Sequence, residues 1–126
     1  MRTYLCKQWD NFILDTMNDL NKSYGWDLNC CFVNGYNDEK DSLGWHSDDS
    51  PEMSHDQPII SLSLGATRNI MTRDLETKEI NTYPLENGSI FVMPKGFQLT
   101  HEHKIPKGSQ PCGPRISLTY RSMINI

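Results

Sequence analysis

The sequence predicts a mainly β domain, a sandwich or a jelly roll, with one helix near its N-terminus. Eight short segments have the composition of strands, and residues that favour turns separate them. Short strands at this spacing are typical of sandwiches and jelly rolls rather than of alternating βαβ units. The chain has 126 residues, which is enough for one modest core, so we assign residues 1–126 to a single domain.

The predicted helix covers residues 7–24. Apolar side chains recur along it at helical spacing, while aspartates and asparagines fall mostly on the other side. Gly25 follows at the position where a left-handed residue commonly ends a helix. We expect the helix to pack its apolar face on the sheet and to have a structural role. The apolar positions are Trp9, Phe12, Ile13, Met17 and Leu20.

The predicted strands make up the jelly-roll core between residues 29 and 121. Each is a short run with β-like composition, bounded by glycine, proline, asparagine or aspartate. The predicted strands are 29–36, 42–46, 59–64, 69–73, 79–83, 89–93, 100–105 and 115–121.

Composition indicates an acidic globular protein. The formal net charge is -4 and the mean hydropathy is -0.60, which argues against a broad electrostatic grip on nucleic acid. The charge is uneven, because residues 1–65 hold 4 Lys/Arg against 11 Asp/Glu and residues 66–126 hold 8 against 5. The basic second half could face phosphates, although an ordinary solvated surface explains it as well.

The sequence predicts a cytoplasmic protein without a membrane-spanning segment. No apolar run approaches membrane-spanning length, and residues 1–20 carry charges where a signal peptide needs an apolar region. The cysteines show no Cys-x-x-Cys spacing, so we expect reduced, mostly structural thiols. They are Cys6, Cys30, Cys31 and Cys112.

A candidate metal site starts at the end of the second predicted strand. His46 and Asp48 are two residues apart, so their side chains point to the same face of an extended chain. Two histidines and one carboxylate form the triad that holds non-haem Fe(II) with open coordination positions. A histidine from elsewhere would complete it. Trp45 points to the opposite face, and we expect it to pack in the core.

The second half of the chain offers two histidines as the third ligand. His101 and His103 share one face of a predicted strand, so their spacing does not choose between them. His55 lies in an acidic loop that contains proline, and we expect it at the surface.

The last predicted strand has an unusual polar face. Four polar side chains alternate there with Ile116, Leu118 and Tyr120, so one face is polar and the other apolar. Arginine suits bidentate carboxylate binding, so an anion inside the barrel would explain two inward arginines. A polar face turned to solvent is the alternative. The four polar residues are Arg115, Ser117, Thr119 and Arg121.

Six segments together resemble the AlkB family of Fe(II)/2-oxoglutarate dioxygenases. They occur in the order found in that family and cover roughly residues 29–121, which makes the signature specific. The segments are N-G-Y at 34–36, G-W-H-S-D-D at 44–49, P-I-I-S-L-S-L-G-A-T-R at 58–68, L-E-N-G-S at 85–89, H-K-I-P at 103–106 and P-R-I-S-L-T-Y-R at 114–121.

The resemblance implies a double-stranded β-helix and assigns roles to individual residues. It selects His103, because the family's distal ligand precedes a small or polar residue, an apolar residue and often proline. Iron would then be held by His46, Asp48 and His103. The residues that it places around 2-oxoglutarate are Asn34, Tyr36, Arg115, Ser117 and Arg121.

The implied function is an enzyme that uses Fe(II), 2-oxoglutarate and O2 to remove alkyl groups from bases in DNA or RNA. 2-Oxoglutarate would yield succinate, and an oxidised N-methyl group would leave as formaldehyde. We expect a single-stranded substrate and a monomer, to which a partner could supply a nucleotide-gripping lid. Two other functions stay open, namely the same chemistry on a protein or small molecule, and a non-catalytic binding module.

Three features depart from the family's pattern. About 28 residues precede the first barrel strand, whereas members of the family usually have a longer N-terminal region whose loops grip the nucleotide. An enzyme acting on a base needs a pocket that holds the base out of the stack, and we expect much of that pocket to be missing. Ser50 stands where many members have an acidic residue, and Ser117 replaces an asparagine, which we expect to weaken cosubstrate binding. Asp49, Ser50 and Arg68 are candidate substrate contacts, and Arg68 could equally be a solvated turn residue.

Overall fold

The computed structural model describes residues 2–5 and 10–124, and it forms two antiparallel sheets. The five-stranded sheet has the order β1-β2-β9-β4-β7, and the four-stranded sheet has the order β3-β8-β5-β6. This is the predicted jelly-roll arrangement. The elements are β1 (Arg2–Leu5), α1 (Asn11–Tyr24), β2 (Cys30–Tyr36), β3 (Leu43–His46), β4 (Ile59–Gly65), β5 (Arg68–Asp74), β6 (Ile80–Leu85), β7 (Ile90–Met93), α2 (Phe97–Thr100), β8 (His101–Ile105) and β9 (Arg115–Arg121).

All eight predicted strands are present, with ends within two residues of the predicted ones. Two elements were not predicted. Strand β1 pairs with β2 at one end of the five-stranded sheet, and α2 lies between the predicted strands 89–93 and 100–105 and includes the first residue of the second. No helix in the part of the chain that the structure describes is long and apolar enough to cross a membrane.

Helix α1 begins later than predicted. The side chain of Asp10 accepts a hydrogen bond from the Phe12 N–H at 2.8 Å, which is the usual N-terminal cap, so the helix begins at Asn11. The predicted residues 7–9, including Trp9, lie outside the described residues. At the other end Gly25 has φ 70° and its N–H donates to the Asn21 carbonyl, as the sequence predicted.

Helix α1 covers part of the outer face of the five-stranded sheet. Met17 and Leu20 are buried against a cluster from β2, β4 and β9. The hydroxyl of Tyr120 on β9 donates to the carbonyl of Ile13 at 3.0 Å and ties the helix to the sheet. Phe12, which the periodicity placed on the packed face, is 53% exposed.

Strand β9 turns its polar face into the barrel. Arg115, Ser117 and Thr119 are each at most 6% exposed, so the alternative of a solvated polar face is wrong. β9 is the central strand of the five-stranded sheet, because β2 pairs with it along its whole length and β4 pairs with residues 115–120. Arg115 is therefore almost completely removed from solvent, whereas Arg121, at the end of the strand, keeps 15% of its side-chain surface exposed.

Trp45 does not lie in the core. It points away from His46, as predicted, but that side is the outside of the four-stranded sheet. The guanidinium carbon of Arg73 lies 4.2 Å from the Trp45 ring centre, and the ammonium of Lys104 lies 4.9 Å from it. The ring is half-buried by two cations, which favours cation–π contact over core packing.

The cysteines that the structure describes fit structural roles. Cys30 and Cys31 are 2% and 0% exposed, and Cys112 is half-buried. Cys6 lies outside the described residues.

Candidate metal centre

A cavity between the two sheets brings together all the residues predicted to bind metal or cosubstrate. Both sheets contribute, because β2 and β9 carry the cosubstrate candidates, whereas β3, the residues just after it and β8 carry the metal candidates. Asp49, Ser50 and Arg68 do not line this cavity. The predicted residues that do are Asn34, Tyr36, His46, Asp48, His103, Arg115, Ser117 and Arg121.

Three of these side chains form a group that could hold a metal ion. The ligand atoms of His46, Asp48 and His103 all lie within 4.8 Å of one another. Strand pairing sets the two histidines side by side, because His46 on β3 is directly opposite His103 on β8. Their ring centres are 4.2 Å apart. Two nitrogens and one carboxylate are the donor set of non-haem Fe(II) sites.

His101 lies outside this group. Its Nδ1 is 2.7 Å from the hydroxyl of Thr100, and its ring stacks on Phe97 with centres 4.5 Å apart. Its Nε2 is 3.6 Å from Asp74. The choice of His103 over His101, which strand spacing left open, therefore agrees with the geometry. His55 is half-buried in the loop after β3 and takes no part in the group either.

The backbone fixes the tautomer of His46. Its Nδ1 lies 2.8 Å from the carbonyl oxygen of Gly44, which can only accept, so Nδ1–H donates. The lone pair is then on Nε2. A histidine that donates one ring N–H to a carbonyl is oriented to ligate with the other nitrogen.

His103 is a neutral imidazole at neutral pH. It is 5% exposed, and burial together with the nearby His46 lowers its pKa from 6.5 to about 4. Its Nε2 lies 3.8 Å from Oδ2 of Asp48, so this contact joins a neutral ring to a carboxylate and is not an ion pair. A neutral ring keeps a lone pair available for a metal.

Asp48 is held from its other side by an arginine. Nη1 of Arg121 is 3.1 Å from Oδ1 of Asp48, and both side chains are about 15% exposed or less. The Arg121 guanidinium also lies over the Phe32 ring, 4.6 Å from its centre. Because Arg121 occupies Oδ1, Oδ2 is the carboxylate oxygen that faces the histidines.

Arg115 is a buried cation with donors to spare. It is 2% exposed, its Nη2 donates to Ser63 Oγ at 2.9 Å, and its guanidinium lies 5.0 Å from the centre of the Tyr36 ring. Burial lowers the pKa of Arg115. Its Nε and Nη1 have no hydrogen-bond partner among residues 10–124, and the same holds for Nε of Arg121 and Oδ1 of Asn34.

Buried donors of a cation that lack a hydrogen-bond partner lower the stability of the folded protein, and an anionic acceptor would remove this cost. A carboxylate in the cavity would satisfy the free donors of Arg115, and it would do so beside the triad. The residues present therefore fit both Fe(II) and a carboxylate cosubstrate.

A row of hydroxyl groups lines the same wall of the cavity. Ser61 Oγ is 3.3 Å from Ser117 Oγ, which is 3.2 Å from Thr119 Oγ1. Sequence reasoning missed Ser61 and Ser63. The available signal was the serine at every second position of β4, since β4 pairs with the polar face of β9.

Arg68 is buried, so the alternative that it is a solvated turn residue is wrong, and its burial argues against a contact with a substrate phosphate. It is 3% exposed. Its guanidinium donates to the backbone carbonyls of Asp38, Asp41 and Pro106 at 3.1, 2.7 and 2.7 Å. These bonds join the loop after β2 to the loop after β8. Asp49 and Ser50, by contrast, are exposed immediately after Asp48.

Comparison with known proteins agrees with this geometry. Residues 3–121 match the family model described as the 2OG-Fe(II) oxygenase superfamily. The alpha-ketoglutarate-dependent dioxygenase alkB homolog 3 of Bos taurus is 36% identical over 124 residues, which cover 91% of this chain and 43% of that protein. The DNA oxidative demethylase ALKBH2 of Homo sapiens is 29% identical over 108 residues, which cover 79% of this chain and 41% of that protein.

A solved structure, "The structure of OsALKBH1", has the same fold, with a TM-score of 0.62, 20% identity and coverage of 89% of this chain and 60% of that one. The chain spans less than half of the length of the two named relatives. The superfamily match covers almost all of the chain, and it includes every residue of the triad and of the cavity wall. This chain belongs to the 2OG-Fe(II) oxygenase superfamily and, within it, to the AlkB family.

Proposed function

We propose that this chain carries the catalytic site of a dioxygenase that oxidatively removes N-alkyl groups from nucleic acid bases. The observation that carries the proposal is one cavity that holds both the His46–Asp48–His103 group and the unpaired donors of Arg115. The names of two relatives, an alkB homolog 3 dioxygenase and a DNA oxidative demethylase, support the reaction and substrate class.

Each side chain has a defined task in this proposal. His46, Asp48 and His103 would hold Fe(II), and Arg115 and Arg121 would bind the carboxylates of 2-oxoglutarate. When bound, Fe(II) and 2-oxoglutarate supply the O2-dependent oxidation of the substrate's alkyl group. Two contacts orient the proposed metal ligands: the Gly44 carbonyl accepts from His46, and Arg121 contacts Asp48.

Three residues would contribute uncharged polar groups to the cavity wall. Asn34 and Tyr36 face Ser117 and Arg115 across the β2–β9 pair, and we propose that they add hydrogen bonds to the cosubstrate. Ser117, which replaces an asparagine of the family, donates or accepts within the hydroxyl row.

The substrate would approach from the side of Asp49 and Ser50. Both are exposed and directly follow Asp48, which supports a contact with a base presented to the triad. We propose a single-stranded nucleic acid, because an unpaired base enters a pocket without the energetic cost of extrusion from a duplex. We propose that the chain acts on it as a monomer.

The test is anaerobic reconstitution followed by turnover. Metal-free protein would receive Fe(II) and then 2-oxoglutarate, and the visible charge-transfer band of the chelate would be recorded. O2 and a methylated single-stranded oligonucleotide would follow, with formaldehyde as the readout. The unmethylated oligonucleotide and the Asp48→Ala variant are the controls.

We expect the band and formaldehyde from the methylated strand alone. The band could form while no methylated strand yields formaldehyde, and a peptide or small molecule could stimulate succinate production. That result would keep the metal centre and contradict nucleic acid as the substrate class. Absence of the band would contradict the proposed centre itself.

A further inference from the structure

The metal-binding carboxylate lies beyond the end of its strand. β3 ends at His46, so Asp48 is outside the ladder that joins β3 to β8. That ladder pairs Leu43 with Ile105 and His46 with His103, with an irregular register between them. Strand pairing thus positions the two histidines but does not hold the backbone that carries the carboxylate.

A buried glutamine holds that backbone instead. Gln98 on α2 is 5% exposed, and its Oε1 accepts a hydrogen bond from the Asp48 N–H at 2.9 Å. The Gln98 Nε2 lies 3.5 Å from Sδ of Met93, which is 2% exposed. Since the Asp48 N–H can only donate, the amide oxygen must face it, and the packed Met93 sulfur keeps the amide in that orientation.

A second bond ties the same segment to the strand of the third ligand. The hydroxyl of Ser47 donates to the carbonyl of His101 at 2.7 Å. Gln98, His101 and His103 belong to one continuous stretch, α2 followed by β8. The backbone around Asp48 is therefore attached twice to the stretch that carries His103.

We propose that Gln98 is a positioning residue that sets the metal affinity of the centre by fixing the Asp48 backbone relative to His103. The inference rests on the proposed metal centre. Gln98 has no ligand atom in the triad and acts only through Asp48. Groups that orient metal ligands contribute about 10- to 100-fold to metal affinity or activity.

A purely structural glutamine would behave differently. Loss of its hydrogen bond would leave the Asp48 N–H unsatisfied and lower stability, but metal affinity would change no more than for any equally destabilised variant. Metal affinity measured beside stability separates the two roles.

The experiment titrates the metal-free protein with Co(II) alone and records the visible ligand-field bands. Gln98→Met keeps the length of the side chain and removes the carbonyl acceptor. We expect it to weaken Co(II) binding about tenfold or more and to alter the bands. Gln98→Glu keeps an acceptor for the Asp48 N–H, and we expect its affinity to stay close to that of the wild type.

The matched control is Asn21→Leu, far from the cavity. Asn21 makes a comparable pair of bonds, accepting from the Leu28 N–H at 2.8 Å and donating to the Leu28 carbonyl at 3.0 Å. We expect this variant to lose stability and to keep the wild-type Co(II) affinity and spectrum.

The outcomes separate the inference from the proposed function. If the wild type binds Co(II) and Gln98→Met binds it equally well, the positioning role is overturned and the metal centre stands. If the wild type does not bind Co(II), the centre fails and the inference fails with it. Should Gln98→Met not fold, Gln98→Asn decides, because its amide is one methylene short, and an unchanged affinity there overturns the inference.

Discussion

Nη1 of Arg121 lies 3.1 Å from Oδ1 of Asp48, and the pair is 15% and 14% exposed. This contact links the arginine proposed to bind the cosubstrate, at the end of β9, to the carboxylate proposed to bind the metal, after β3. Removal of one member of a buried ion pair leaves the other charge uncompensated, which costs more than the pair itself contributes. Asp48 is therefore the counter-ion of Arg121 as well as a proposed metal ligand, and the two roles can be tested separately.

Asp48→Ala should abolish Fe(II)-dependent turnover and also destabilise the metal-free protein. The expected loss in the free energy of unfolding is roughly 3 kcal/mol, because Arg121 is left buried and unpaired. Urea denaturation of the metal-free protein measures it. The double variant Asp48→Ala/Arg121→Met should recover part of this loss while remaining inactive, since no charge is then orphaned. Full activity in Asp48→Ala would disprove the triad.

Arg115→Met should remove 2-oxoglutarate binding and leave metal binding unchanged. The wild type in 2-oxoglutarate at about 100 times its Kd should gain about 2.7 kcal/mol in stability, because only the folded state binds the ligand. The variant should gain none. Without ligand, the variant should be no less stable than the wild type, because it removes a buried cation with two unpaired nitrogens. Equal stabilisation of both proteins by 2-oxoglutarate would place the cosubstrate elsewhere.

His103→Ala should abolish Fe(II) binding, whereas His101→Ala should leave most of it. Of these two histidines, only His103 has a ring nitrogen in the triad. The His101 ring stacks on Phe97, and its Nδ1 lies beside the Thr100 hydroxyl. Fe(II) affinity of the two metal-free variants, measured by competition with a coloured chelator, checks this. If His101→Ala lost more Fe(II) affinity than His103→Ala, His101 would be the third ligand in place of His103. Both variants remove one imidazole from the same strand, so each serves as the control for the other.

Much of the centre was predictable, because it depends on local periodicity. His46 and Asp48 are two residues apart, and the alternation along β9 puts Arg115 on one face with Ser117, Thr119 and Arg121, although only the structure shows that this face is buried. The choice between His101 and His103 was not local, since both share a face. It depended on the resemblance to a family, and the register of β3 on β8 gives its physical basis.

The features that sequence reasoning missed depend on contacts between distant segments. Gln98 lies outside every predicted element, and only the packing of α2 brings it to the Asp48 N–H, 50 residues away in sequence. Trp45 was placed on the correct side of β3, but the sequence did not show that this side is lined by Arg73 and Lys104 instead of a core. Alternation tells which residues share a face and not which layer covers it.

Arg68→Met should destabilise the protein without changing its affinity for an oligonucleotide. Its guanidinium donates to three backbone carbonyls in two loops, and loss of such charge-assisted bonds should lower the free energy of unfolding by about 2 kcal/mol or more. Arg68→Lys should recover little, because a single ammonium cannot reproduce the planar fork that reaches all three carbonyls. Chemical denaturation and fluorescence anisotropy with a labelled single strand measure the two effects.

The matched control is Lys107→Met, which removes an exposed cation in the loop after β8 and should change neither stability nor fold. If an Arg68 variant folded with wild-type stability but bound the strand less tightly, the structural role would be contradicted and a phosphate contact supported.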